Sequence, residues 1–391
     1  MENNNNFDIN WPNIFSKKEN ILNEYKDYCY EKLIGASIGK DREYPTLHVL
    51  KNGKYAIWNG GISWPQSAWN NSIEIEGAGW VSSSIIDDRD YKSTGWHEER
   101  GEFTGFVNWP VYTKSKIKET SKIIKLSGKY VGFHTWWSHN YGHILHDALP
   151  YFLWLKSQVS GDCKYIMLND PVKKDIIKNL DLDLYNSIVW LNLGETAEID
   201  GELIVSTPDM HPCIMGKKFQ KYLKEWLNKC GEGKTKCGDI IYHSRHGTTN
   251  RRLLDQEHEK HIIETIKVLM EKNKIKGDLK IFSGKDSEGN TLSVEEQINI
   301  FRNAHTIIGP HSSGLINILY SNLDNVNLVE FIPSYECAEV QEPFNGYHMA
   351  IQGLGINHNI LLYTDDSVSE KTFIDIDDLH DALNKIWGKP S

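Results

Sequence analysis

The chain has little that would carry it across a membrane or staple it together. It opens Met1-Glu2-Asn3-Asn4-Asn5-Asn6, a polar start without the basic-then-apolar pattern of a signal peptide, and no later run of about eighteen apolar residues is long enough to span a bilayer. The expectation is a cytoplasmic protein, in a viral or microbial setting, with no membrane span. Its six cysteines (Cys29, Cys163, Cys213, Cys230, Cys237, Cys337) show no Cys-x-x-Cys spacing, which argues against a zinc ribbon or a dense disulfide framework and for reduced thiols. Positive charge is also short: 43 Lys+Arg stand against 53 Asp+Glu, a formal net charge of −10. That balance argues against a broad nucleic-acid or acidic-membrane surface, while leaving room for a local basic patch around a phosphorylated ligand.

What the chain does have is length, aromatics and alternation. Its 391 residues are long for one core and favour two domains. Thirteen Trp and eighteen Tyr suit carbohydrate recognition, although core packing accounts for most of them. Residues 1–20 read as a disordered leader, and residues 20–33 as a first helix. Short β-like runs around Gly and Trp (Thr46–Leu50, Tyr55–Trp58, Ser72–Ile75, Gly105–Trp109) predict a β-rich N-terminal elaboration over about 44–127. Strands at Lys129–Phe133, Lys164–Leu168 and Ser187–Leu193 then alternate with helical patterns at Pro171–Leu180 and Gly216–Lys229. After a Gly/Lys-rich linker, Cys230–Gly238, the alternation restarts and reads as a nucleotide-binding half. The division expected is an N-terminal domain over 21–235, a C-terminal domain over 236–370, and a helix within 371–391 packing back.

The stretch Thr306–Tyr320 organises the second half. A β-branched apolar run enters Gly309-Pro310-His311-Ser312-Ser313-Gly314 and leaves through a helical pattern, the strand, tight loop and helix of an α/β unit. Unpaired N–H groups at such a helix start favour a phosphate; the plainer alternative is an ordinary connection whose serines cap the helix. Ser244-Arg245 and Arg251-Arg252 follow another strand, and arginines there suit a diphosphate through bidentate hydrogen bonds, with a solvated basic loop as the alternative. Ser293 and Glu296 have capping-box spacing, and Glu330, at a strand end, is placed to meet a ribose hydroxyl.

In the first half, Asn140, His143 and Asp147 fall on one side of a predicted helix within Trp136–Leu155. A carboxylate four residues after a histidine holds its tautomer and raises its basicity, which is machinery for a general base. A core histidine satisfied by Asp147 is the bland alternative. His139, His143 and His146 have metal-compatible spacing, but no neighbouring Cys or Glu completes a known ligand pattern. Asp181-Leu182-Asp183 is a formal Asp-x-Asp, read here as a surface turn.

Taken together, Asn140-x-x-His143-x-x-x-Asp147, Ser244-Arg245 with Arg251-Arg252, Glu296-Gln297, and Gly309-x-His311-x-x-Gly314-Leu315-x-Asn317 resemble glycosyltransferase family 61 over about residues 130–335. That family includes protein O-mannose and EGF-domain N-acetylglucosaminyltransferases and plant xylan arabinosyl- and xylosyltransferases. The resemblance implies an α/β, GT-B-like fold: two Rossmann-like, doubly wound parallel-sheet domains facing across a cleft, here with the N-terminal β-rich elaboration. It implies inverting transfer of a sugar, GlcNAc or a pentose such as xylose or arabinose, from a UDP-sugar to a hydroxyl of a glycan or glycoprotein, with no cofactor and no metal. By position, His143 and Asp147 are the catalytic candidates, and Asn140 and His146 lie on the acceptor side. Ser244, Arg245, Arg251, Arg252, Gln297, Gly309, His311, Ser312, Ser313, Gly314, Leu315, Asn317 and Glu330 hold the nucleotide sugar. The usual His-Gly-Ala-Gly loop of the family appears here as His311-Ser312-Ser313-Gly314, which restricts the backbone and adds hydroxyls. Two other functions stay open: a metal-dependent transferase using Asp181 and Asp183, and a catalytically silent nucleotide- or carbohydrate-binding protein of the same fold.

Overall fold

The computed structural model describes residues 13–15, 47–51, 54–59, 69–75, 79–82, 122–133, 141–192, 195–206, 212–230, 238–246, 255–333, 351, 353–366 and 371–388. Of the expected disordered leader over 1–20, Asn13–Phe15 is a strand and the rest lies outside them, as do the helix over 20–33, the strand Gly105–Trp109 and the interior of the linker. The chain divides into two compact units, one of Asp41–Met215 and one joining Met1–Lys40 to Gly216–Ser391. Each carries its own sheet, so the protein is mixed α/β with two sheets rich in parallel pairs.

The sheet of the 41–215 unit has eight strands. β6 (Lys122–Gly132), β7 (Lys164–Leu168), β8 (Ile188–Leu191) and β9 (Glu195–Ser206) form its parallel half, in the order β9-β6-β7-β8. The β-rich segment extends the same sheet as its antiparallel half. β2 (Leu47–Lys51) and β3 (Lys54–Asn59) both pair with β9, followed outward from β3 by β4 (Trp69–Ile75) and β5 (Gly79–Ser82).

β6 leads to a helical run with a defect in it. One turn of α-helix, Tyr141–His143, passes into a π-helical segment, Ile144–Ala148, and then into α1 (Leu149–Gln158). The Leu149 N–H reaches back five residues to the Ile144 carbonyl. Pro150 accounts for this: it has no N–H to donate, and its ring would clash with the His146 carbonyl in a regular α-helix, so the ladder widens by a residue. α1 is buried from Leu149 through Leu155, with Phe133 tilted against Tyr151 and Phe152. Beyond β7 come α2 (Pro171–Leu180) and α3 (Leu182–Asn186).

The second unit contains α4 (Pro212–Cys230) from Gly216 onward, and then the elements that position the site. β10 (Asp239–His243), α5 (Gln256–Lys272), β11 (Leu279–Phe282), α6 (Val294–Phe301), β12 (Ala304–Pro310), a 3-10 helix (Ser313–Tyr320) and β13 (Asn327–Pro333) follow in chain order. β14 (Asn357–Asp366), the antiparallel β15 (Lys371–Ile374) and α7 (Ile376–Trp387) end the described chain. The parallel order is β1-β14-β13-β12-β10-β11, where β1 is Asn13–Phe15.

One face of this sheet offers Ile240, Tyr242, Ile308, Val329, Phe331, Leu361 and Tyr363 to the apolar stripes of α5 and α7. The Trp387 indole N–H donates to Thr306 Oγ1 at 3.1 Å, fixing α7 on this sheet. The first and last described segments meet here: Lys385 Nζ donates to Asn13 Oδ1 at 2.6 Å. Ser293 and Glu296 form the capping box expected from their spacing, and open α6. No helix among the described residues is long and apolar enough to cross a membrane.

Candidate functional site

Strand order places the site. The chain leaves β10 through α5 toward β11 and leaves β12 through the 3-10 helix toward β13, so the connections from these two neighbours diverge. Such a switch point opens a crevice beyond the carboxyl ends of the strands, where ligands of doubly wound sheets lie. The segments that reach it are His243-Ser244-Arg245 after β10 and Pro310-His311-Ser312-Ser313-Gly314 after β12.

Two side-chain hydrogen bonds cross the switch point. Arg245 Nη1 donates to the His311 carbonyl at 3.0 Å. The buried His243 ring contacts Ser312 Oγ through Nε2 at 2.6 Å and the Phe282 carbonyl through Nδ1 at 3.2 Å. A carbonyl only accepts, so Nδ1 carries the proton; Nε2 is then an acceptor, and Ser312 donates to it. Burial holds His243 neutral, pushing its pKa down to about 4, against the Phe282 bond and with help from the Arg245 charge.

The Ser312 hydroxyl hydrogen is thereby committed inside the protein, while its oxygen accepts from the Gly314 N–H at 3.3 Å. The segment Ser313–Tyr320 forms a 3-10 helix, and the Leu315 N–H already donates to the Ser312 carbonyl. Two of the first three donors are therefore spent within the loop. Gly309 and Gly314 are required by contact with His243. A Cβ on Gly309 would lie 2.7 Å from the His243 carbonyl oxygen, and one on Gly314 would lie 2.7 Å from its Cε1.

Glu330, expected at a ribose hydroxyl, has no exposure and is held between imidazoles. Its Oε1 meets His311 Nδ1 at 2.5 Å and its Oε2 meets His358 Nε2 at 2.8 Å. Gln297 accepts from Asn317 Nδ2 at 2.9 Å and donates to the Leu292 carbonyl at 3.0 Å, tying α6 to the 3-10 helix. Asn317 and Leu315 are fully buried, Ser313 is exposed, and Ser244 is buried with Oγ accepting from the His246 N–H at 3.3 Å. Arg251 and Arg252 lie outside the described residues.

In the other unit, the π-helical segment carries the second set. The His143 and His146 rings lie 4.8 Å apart at 48°, with His146 buried and His143 half-buried. Asn140 and the side chain of Asp147 lie outside what is described; the Asp147 backbone belongs to the π segment. π-Bulges of this kind occur frequently at functional sites. Asp181 caps α3 by accepting from the Leu184 N–H at 2.8 Å, so one oxygen of the Asp-x-Asp is engaged in the turn itself. Among the described residues no three His, Cys, Asp or Glu side chains gather as metal ligands would.

Residues 141–326 match the model of the family Glycosyltransferase 61. This segment belongs to glycosyltransferase family 61. The match takes in His143, His146, Arg245 and the His311–Asn317 loop, and stops short of Glu330 and His358. No curated protein matches the chain. The matched domain supports a glycosyltransferase, which implies a sugar donor and an acceptor.

Two residues of the site have no role in the sequence reading, His243 and His358. His243 ends an apolar strand and His358 lies among apolar and amide residues, and neither has a spacing that marks a site. Alternation along β10, β13 and β14, combined with their register, puts His243, Glu330 and His358 on the sheet face opposite α5 and α7.

Proposed function

We propose that the protein is an inverting glycosyltransferase that moves a sugar, GlcNAc or a pentose, from a UDP-sugar to a hydroxyl of a glycan or glycoprotein. It does so with a GT-B-like division of labour and without a divalent ion. The observation that carries this reading is the bridged switch point, where Arg245 and His311 stand together at the carboxyl ends of β10 and β12. A guanidinium and an imidazole there suit the charge that builds on a departing diphosphate.

In this mechanism the acceptor oxygen attacks the anomeric carbon from the side opposite UDP. The new C–O bond forms as the bond to the β-phosphate oxygen breaks, and the electron pair leaves with UDP. The acceptor proton passes to a base of the His143/Asp147 pair, and Arg245 and His311 take up the leaving-group charge. Asn140 and His146 belong to the acceptor side. Ser244, Ser313, Arg251 and Arg252 complete the donor side, which the Gln297–Asn317 bond holds in place.

The test is UDP release from a panel of UDP-sugars (GlcNAc, xylose, arabinose, galactose, glucose) with simple glycoside acceptors and with EDTA and Mn²⁺ arms. Release from one donor that is indifferent to EDTA is the expected result. Release abolished by EDTA and restored by Mn²⁺ would return the mechanism to a bound metal. Tight UDP binding with no donor consumed would make the protein a binder.

A further inference from the structure

Two members of the polar chain behind the switch point, Glu330 and His358, have no part in the transfer step proposed above. His311 follows β12, Glu330 sits on β13 and His358 on β14, three adjacent strands, and one carboxylate joins the two rings. The register pairs Gly309 with Glu330 and Leu328 with His358, which brings the three side chains to the same sheet face. The His311 side chain is 19% exposed, while His358 at 2% and Glu330 at 0% are buried. A carboxylate in that position is costly unless donors or positive charge surround it, and both its oxygens meet ring nitrogens. The arrangement is therefore directional, with a buried negative charge between one buried ring and one that keeps partial exposure.

We propose that Glu330 is a positioning residue for the donor's diphosphate: it holds His311 by Nδ1, with His358 at its back, so that His311 meets a phosphate oxygen through Nε2 as an imidazolium. This rests on the nucleotide-sugar reading given above. Nδ1 and Nε2 lie across the ring from each other, so the bond to Glu330 fixes which edge of His311 the ligand meets. A neutral ring protonated at Nδ1 has only a lone pair at Nε2, and a phosphate oxygen needs a donor. A ring that donates from both nitrogens carries a second proton, and a buried carboxylate bonded to one nitrogen favours that form. The other groups facing this ring work with or against that proton. The Arg245 guanidinium, bonded to the His311 carbonyl, opposes it, while His243 stays neutral behind Ser312 and His358 shares the carboxylate. The role differs from a ribose contact, which would require the carboxylate itself to touch the nucleoside.

The experiment is calorimetry with UDP and with uridine, which lacks the diphosphate, each in two buffers of different ionisation enthalpy to count protons. Wild type is expected to take up a proton with UDP and none with uridine. Glu330→Gln is isosteric and preserves one hydrogen bond to each ring without the charge. It should weaken UDP about tenfold, leave uridine unchanged and abolish the proton uptake. His358→Phe should weaken UDP in the same direction, and His358→Gln, which restores a donor to Glu330, should recover most of the loss. The pair carries the test if Glu330→Gln does not fold. Wild-type affinity for UDP in Glu330→Gln, equal losses for UDP and uridine, undiminished proton uptake, or no recovery by His358→Gln would overturn the proposal. Failure of wild type to bind UDP at all would instead overturn the nucleotide-sugar reading on which it rests.

Discussion

His243 and Gly314 touch where no side chain fits between them. A Cβ on Gly314 would sit 2.7 Å from His243 Cε1 and 2.8 Å from Nε2, the nitrogen that accepts from Ser312. The loop after β12 is thus moulded on an imidazole from β10. Gly314→Ala is expected to push the ring or the loop aside, costing about 1–3 kcal/mol of stability by overpacking. It should also weaken UDP binding, because His311 and Arg245 are tied to the same loop. Chemical denaturation with UDP titration on the same variant checks both effects; wild-type affinity would show that the crevice tolerates the shift.

The neutral state of His243 makes stability depend on pH. Its pKa is about 4 in the fold against 6.5 ordinarily, so between these values the unfolded chain binds a proton that the folded one does not. Stability contributed by the neutral ring is complete above pH 6.5 and falls as the pH drops toward 4, by roughly 3 kcal/mol over the window. Urea unfolding from pH 7.5 to 4.5 should show this slope, and His243→Gln, which keeps a polar group but does not titrate, should flatten it.

Lys173, on α2, is fully buried, and its Nζ has no hydrogen-bond partner among the described residues. Burial pushes its pKa down to about 8 from 10.5, opposed by the Asp170 charge. Below pH 8 the ammonium is carried in the fold at a cost on the order of 3 kcal/mol, and that cost fades as the pH rises toward 10.5, where the unfolded chain also loses its proton. Lys173→Met should therefore raise the unfolding midpoint at pH 7, and its advantage should shrink above pH 8. An unchanged or lowered midpoint at pH 7 would mean that the amine has a counter-charge in solution.

For the transfer step, His143→Ala should leave UDP affinity near wild type and lower turnover by a general-base factor of about 10²–10⁴. Calorimetry and UDP-release kinetics separate the two quantities. Loss of UDP binding in this variant would remove the assignment of His143 to the acceptor side.

The fold was legible wherever local rules decide. The β-branched runs at Thr306–Ile308 and Asp239–Tyr242, the capping box at Ser293 and the amphipathic Ile376–Trp387 all mark real elements. Less was legible where neighbours in space decide. Pro150 in a helical pattern signals a disturbance, but not that the ladder widens into a π segment around His146. The loop at Ser312 announces a helix start, yet its hydroxyl faces inward because His243, 69 residues earlier, offers an acceptor. Glu330 is the sharpest case. A carboxylate at a strand end looks the same in sequence whether it meets a ribose or two imidazoles, and only the register of β12, β13 and β14 selects the partners.

The meeting of Asn13 with Lys385 has a consequence for how the protein is made. The 41–215 unit is contiguous in the chain and has all its strands once residue 206 has emerged. The other unit cannot complete its sheet edge until β14 is available to pair with β1, nor cover its face until α7 arrives. On a ribosome the middle of the chain is therefore free to fold first, while the N-terminal strand waits through most of synthesis for its partner. The sheet that carries Arg245 and His311 is therefore covered only after the segment through Trp387 has been made.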